Sequence, residues 1–125
     1  MKFTILLSAL LLSACSFLSA PKYDNNELML LAYFKTEIDD ANEACKSITG
    51  KGRIDTRELK KSFNRLNNYS KQTPSNEDYV KMLKNVKLIM DDLDGPEYGK
   101  VFCELKTKNI RRAADIISQS SALKF

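Results

Sequence analysis

The chain is predicted to fold as an all-α protein, a small antiparallel four-helix bundle. Three observations predict this. Apolar residues recur every three or four positions in four separate segments. Residues that start and stop helices punctuate the sequence between those segments. No segment sustains the apolar–polar alternation that a half-buried strand needs. Short connections between the four segments favour antiparallel neighbours.

The first helix opens at Tyr23-Asp24-Asn25-Asn26-Glu27-Leu28, which reads as a capping box. Asp24 caps, Glu27 reaches back from the third helical position, and Tyr23 staples onto Leu28. Its apolar stripe is Leu28, Leu31, Phe34, Ile38, Ala41, Cys45 and Ile48, and Gly50 and Gly52 are expected to end it. The second helix, about residues 56–71, starts at Ile54-Asp55-Thr56-Arg57-Glu58-Leu59 with the same grammar. Its stripe is Leu59, Phe63, Leu66 and Tyr69, with Ser70 off the stripe. The third, about residues 76–93, follows the looser start Pro74-Ser75-Asn76-Glu77-Asp78-Tyr79 and carries Tyr79, Met82, Leu83, Val86, Ile89, Met90 and Leu93. Gly95-Pro96 breaks it and sets proline at the start of the fourth helix, about residues 97–121. There the expected stripe is Phe102, Leu105, Ile110, Ala113, Ile116 and Ile117, broadening around Cys103.

The residues ahead of the bundle carry a different message. Lys2 is followed by an apolar stretch from Phe3 to Leu12, interrupted only by Thr4 and Ser8 and too short to span a bilayer. Leu12-Ser13-Ala14-Cys15 then resembles the lipobox of bacterial lipoproteins: an aliphatic residue, two small residues and a cysteine. The resemblance implies a signal peptide over residues 1–14, cleaved so that Cys15 becomes a diacylglyceryl-modified, acylated N-terminus. An acyl set of two or three chains makes a stable anchor where a single chain does not. Ser16 after the cysteine implies, by the enterobacterial sorting pattern, the outer membrane. The rival is a plain secreted protein cut after a small-x-small site, which leaves the full box unexplained. Residues 15–23 make the lipidated cysteine and a tether, Ser-Phe-Leu-Ser-Ala-Pro-Lys-Tyr after Cys15, and residues 24–125 make the bundle domain. Fully stretched, the tether reaches only about 25–30 Å, so the bundle is expected close to its membrane.

Assigning Cys15 to lipid leaves Cys45 and Cys103. Two cysteines in an oxidising periplasm are most simply one disulfide, while a reactive thiol pair is disfavoured because they form no C-x-x-C. In an up-down bundle Cys45 ends the first helix at the pole where Cys103 begins the fourth, which is the geometry a disulfide needs. Such a staple would contribute about 4 kcal/mol in the chain-entropy account.

Composition sets further bounds. Cleavage would leave 111 of the 125 residues, enough for one modest core. The formal charge is +4, and losing Lys2 makes it +3, which is no nucleic-acid footprint. The chain has no His, which removes Ser-His and Cys-His nucleophile pairs and nearly all common zinc sites. No nucleophile elbow, Ser-x-x-Lys box or Gly-rich phosphate loop occurs, so no catalytic residue, cofactor, metal or small-molecule substrate is expected.

The remaining candidates are surfaces. Glu37, Asp39, Asp40 and Glu43 make the first helix acidic. Asp91, Asp92, Asp94 and Glu97 cluster at the corner between the third and fourth helices, without EF-hand spacing. Asp94 and Glu97 are expected to serve the N-terminal dipole of the fourth helix. Lys46, Lys51, Arg53, Arg57, Lys60, Lys61 and Arg65 make the second helix and its approach basic, and Lys81, Lys84 and Lys87 share a side of the third. These fit an anionic lipid, an acidic partner or, more blandly, a solvated face. Asn64, Asn67, Asn68, Tyr69 and Ser70 form either a binding loop or a helix end held by turn chemistry, the latter preferred. Tyr33, Tyr69, Tyr79 and Tyr98 line either a groove or, more commonly at helical spacing, the core.

Lipobox, short tether, helical bundle and one disulfide together are similar in layout to the pilotins of type II secretion systems. The likeness adds only the two cysteines and Phe102-Cys103-Glu104-Leu105 at residue level, so it implies no binding residue. It implies a non-catalytic assembly factor that binds an envelope protein and is held to the membrane through Cys15. The alternatives are a phage or mobile-element lipoprotein that blocks an outer-membrane receptor, a lysis-associated subunit, or a structural envelope lipoprotein.

Overall fold

A computed structural model describes residues 25–73 and 77–122. It contains α1 (Asn25–Cys45), α2 (Arg57–Gln72), α3 (Glu77–Asp91), a 3-10 turn at Asp92–Asp94 and α4 (Lys100–Ala122). Each helix packs on two others, around the ring α1–α2–α3–α4–α1, and no strand occurs among the described residues. Pairs along the α1–α4 contact run in opposite directions: Cys45 meets Cys103, Asn42 meets Thr107, Asp39 meets Arg111 and Lys35 meets Asp115. The fold is therefore the expected antiparallel four-helix bundle.

The core follows the apolar stripes. Leu31, Phe34, Ile38, Ala41 and Cys45 of α1 are buried against Leu59, Phe63 and Leu66 of α2, with the Phe34 and Phe63 rings 5.6 Å apart. Tyr79, Leu83, Val86 and Met90 of α3 and Leu93 beyond it complete the interior, while Met82 and Ile89 pack at its edge. The buried face of α2 is Leu59, Phe63, Leu66 and Ser70, so Ser70 lies on the stripe and not off it. Spacings of four, three and four bring its hydroxyl inward, and Tyr69 sits half-buried beside it.

The fourth helix departs most from expectation. Its buried face is Cys103, Thr107, Ile110, Ala114 and Ile117. Phe102, Leu105 and Ile116, expected inside, are exposed at 39%, 54% and 50%. Once the Cys103 sulfur is fixed inward by the disulfide, helical spacing places Thr107 and Ala114 on the core side. Thr107 can be there because its hydroxyl donates to the Cys103 carbonyl at 3.0 Å and accepts from the Asn42 amide at 2.7 Å.

Helix ends also shift. α1 ends at Cys45, ahead of Gly50 and Gly52, and unwinds through three i→i+3 bonds ending with Ile48 N–H to Cys45 O. Gly50 then turns the chain at φ +71°, where a side chain would be strained. α4 begins at Lys100, so Pro96 lies outside its first turn. The cause is Tyr98, whose backbone is bridged to Gly52 and so cannot be helical. The capping pair Tyr23 and Asp24 lies outside the described residues, while Glu27 is buried in the first turn of α1, where the helix dipole favours an acid.

Candidate functional site

Both chain crossings at one pole are built from polar bonds. Tyr98 is their centre. Its N–H and C=O pair with Gly52 at 2.9 Å each, its hydroxyl accepts from the Ile54 N–H at 3.1 Å, and it donates to the Leu93 carbonyl at 2.9 Å. The Arg53 guanidinium donates to Gly95 O at 2.7 Å. Thr56 donates to the Asp94 carboxylate at 2.6 Å, and Lys60 is ion-paired with the same carboxylate. Asp94 therefore serves the start of α2, not the start of α4 as its place in sequence implied. Partial burial pushes its pKa up, but the hydrogen bonds from Lys60 and Thr56 and the nearby cations outweigh this, and the group sits below the ordinary carboxylate value. The N-cap of α2 is Thr56 and not the expected Asp55, which lies one residue ahead and accepts the Arg57 N–H at 3.0 Å in a local turn. Hydrogen bonds from the Arg57 side chain and backbone hold the Asp55 pKa down at about 2.

The Cys45–Cys103 disulfide lies at this pole, with Cα atoms 5.6 Å apart and both residues fully buried. It is the expected pair, and its burial against Thr107 leaves no thiol chemistry at the surface. Cys15 lies outside the described residues. An open cleft of about 450 Å³ sits beside the pole, lined by Lys51, Asp92, Pro96, Tyr98 and Phe102 among others. Its lining combines opposite charges with the apolar faces of Pro96, Tyr98 and Phe102.

Of the tyrosines, Tyr79 and Tyr98 are core residues, Tyr69 is half-buried and Tyr33 is exposed. The end of α2 is held by turn chemistry, with Thr73 donating its N–H to Ser70 O and its hydroxyl to Tyr69 O. The acidic face of α1 is partly engaged: Asp39 pairs with Arg111 and Glu43 with Lys46. The corner acids are likewise used in ion pairs, Asp92 with Lys106 and Asp94 with Lys60. Among the described residues no group of three or more His, Cys, Asp or Glu side chains is placed to hold a metal ion.

Among the described residues, an exposed apolar stripe lies on the outer side of α4 beside α3. Phe102, Leu105, Asn109, Ala113 and Ile116 recur at intervals of three and four along α4, a second stripe beside the buried one. It spans about 21 Å at 1.5 Å per residue. Phe102 anchors its upper end, packed on Tyr98 at 5.4 Å between ring centres and under the Lys106 ammonium at 5.2 Å. Met82 and Ile89, half-buried at the α4-facing edge of α3, continue the apolar floor. Leu88, 67% exposed, extends it outward. Sequence reading placed Phe102, Leu105 and Ile116 in the core because α4 is apolar on two adjacent faces. The signal that separates them is the position of Cys103.

No protein-family model matches the chain, and comparisons with curated proteins and with solved structures return no match.

Proposed function

We propose that this protein is a lipoprotein of the outer membrane's periplasmic face that acts as a non-catalytic binding or assembly factor for another envelope protein, in the manner of a pilotin. The observation that carries the reading is the exposed apolar seam on α4. A chain of this size has little apolar surface to spare from its core, and large apolar side chains exposed along one side of a helix, as Phe102, Leu105 and Ile116 are, commonly mark an interaction site. The lipobox-like residues ending at Cys15 support the anchor.

The geometry of the bundle bears on how such a factor would work. The tether joins α1 at the pole opposite the disulfide, and α1 is 21 residues, or about 30 Å, long. The bonded pole would stand away from the bilayer, and the α3–α4 seam would run along the side of the bundle between the two. The charged pairs on the α1–α4 side are half-buried to exposed and already satisfied within the bundle.

The test is made in the native envelope. Cys15→Ser should abolish incorporation of labelled fatty acid and move the protein out of the outer-membrane fraction; unchanged labelling refutes the anchor. Crosslinking from Leu105 in whole envelopes should then give one dominant adduct. A secretin in that adduct supports the pilotin reading. A different outer-membrane receptor in its place sinks that reading and selects the receptor-blocking alternative.

A further inference from the structure

We infer that the open cleft beside the cysteine pole binds a small amphiphilic zwitterion, an apolar amino acid or dipeptide with free ammonium and carboxylate groups. The inference goes beyond the proposed role in binding an envelope protein and does not rest on it.

Unpaired charges of both signs point to the ligand. Lys51, Asp91 and Glu97 line the cleft, are exposed, and form no ion pair among the described residues. The neighbouring acids are treated differently: Asp92 is paired with Lys106, and Asp94 with Lys60. Asp91 is also the last residue of α3, where the helix dipole disfavours a carboxylate, and the last turn holds no basic residue to offset it. Locally unfavourable choices of this kind concentrate at functional sites. Lys51 shares the lining with Asp91 and Glu97 yet pairs with neither, so both signs remain open to a ligand.

The same lining offers apolar surface. Phe102 is 39% exposed, and its ring is held against Tyr98 with centres 5.4 Å apart. The Lys106 ammonium, 5.2 Å from the ring centre, ties Phe102 to Asp92 and fixes this wall further. Pro96 adds a second rigid apolar face. A volume of about 450 Å³ falls in the range of small-molecule sites, where apolar walls carry a few polar groups that set orientation.

Other ligand classes use only part of this lining. A phosphate-bearing anion would satisfy Lys51 and face the carboxylates of Asp91 and Glu97. An organic cation would find the face of the Phe102 ring already taken by Lys106, and Lys51 would repel it. A metal ion has no group of three acids placed to hold it among the described residues. A zwitterion with an apolar side chain uses every part. Its carboxylate accepts from Lys51, its ammonium donates to Asp91 and Glu97, and its side chain rests on Phe102 and Pro96.

The test uses the full chain, purified from envelopes, isotope-labelled and held in uncharged maltoside micelles. It is titrated with leucylleucine and with three relatives that each lack one feature. N-acetylleucylleucine lacks the ammonium, leucylleucine amide lacks the carboxylate, and glycylglycine lacks the apolar body. Leucylleucine should give saturable shifts of the Gly52, Gly99 and Phe102 amide signals, with a Kd below about 1 mM. Each relative should bind at least about tenfold more weakly. Asp91→Asn should weaken leucylleucine about tenfold and leave N-acetylleucylleucine unaffected. Lys51→Ala should weaken leucylleucine to a similar extent and leave the amide unaffected. Asp91→Asn should melt no lower than the parent, because the carboxylate it removes opposes the helix dipole, so weaker binding by this variant is not a folding defect. Absence of saturable shifts up to about 10 mM overturns the inference. So do shifts confined to other parts of the bundle, equal binding of the capped and uncapped dipeptides, or indifference to both substitutions. Glycerophosphoethanolamine carries the same two charges as a lipid headgroup. If it binds more tightly than leucylleucine, the inference fails and the cleft is assigned to lipid headgroups.

Discussion

Gly52 and Tyr98 exchange both backbone hydrogen bonds at 2.9 Å, joining the α1–α2 connection to the α3–α4 connection. This single pair of residues makes the two loops at the cysteine pole one structure. It also delays α4 until Lys100 and brings the Tyr98 hydroxyl under the start of α2. The disulfide and this bridge act on the same pole through different chemistry, so they can be separated by substitution.

Tyr98→Phe tests the bridge. The ring stays, but the buried Ile54 N–H and the Leu93 carbonyl lose their partner. Leaving buried polar groups unpaired costs about 1–3 kcal/mol. Urea denaturation should show a lower midpoint with an unchanged slope, and amide exchange at Ile54 should rise before the rest of the core.

The disulfide closes a loop across a sequence separation of 58. The chain-entropy account gives about 4 kcal/mol for a loop of that size, a large share of the about 5–15 kcal/mol typical of a domain. Reduction of the denatured chain should release two thiols from this pair. The double change Cys45→Ala and Cys103→Ala should lower the thermal midpoint by tens of degrees or leave the chain unfolded, as read by circular dichroism.

Asp94 predicts a pH dependence. Its pKa is lower in the folded protein than its ordinary value, so its contribution is present above about pH 4, the unfolded value, and is lost as pH falls through the folded value. Asp94→Asn should therefore be less stable than the parent at pH 7, and the difference should shrink as pH falls below 4. A thermal midpoint series from pH 7 to pH 2 checks this. A difference constant across the series would mean that packing, and not charge, holds Asp94 in place.

Ser70→Ala should be stabilising. Its hydroxyl is buried on the α2 stripe and has no hydrogen-bond partner among the described residues. Removing an unpaired buried hydroxyl from a helix, and gaining the better helix propensity of alanine, is expected to add about 1 kcal/mol. A lower melting temperature for the variant would show that the hydroxyl is satisfied after all.

Local rules were sufficient for much of this fold. The spacing of Leu31, Phe34 and Ile38 and the Gly95-Pro96 break are each written within a few residues, and the cysteine pair follows from helix order. What was not legible depends on contacts between distant segments. Asp94 looked like a cap for the helix that follows it, because nothing local says that Thr56 and Lys60 fold onto it. Nothing local marks Thr107 as a core residue, because its partner Asn42 lies on another helix. The seam was hidden for the same reason: α4 offers two apolar faces, and only the Cys45 contact selects the inner one.

That selection gives the sharpest contrast between two leucine-sized residues on one helix. Ile110 is fully buried, and Leu105 is 54% exposed. If the inner face is the one set by Cys103, Ile110→Ala should cost about 2–5 kcal/mol through lost burial and the cavity left behind. Leu105→Ser, on the outer seam, should stay within about 0.5 kcal/mol of the parent, as surface changes usually do. Denaturant midpoints of the two variants measure both. If Leu105→Ser proved the costlier change, α4 would be rotated about its axis from the packing described here, and Phe102, Leu105 and Ile116 would be core residues with no surface left to bind a partner.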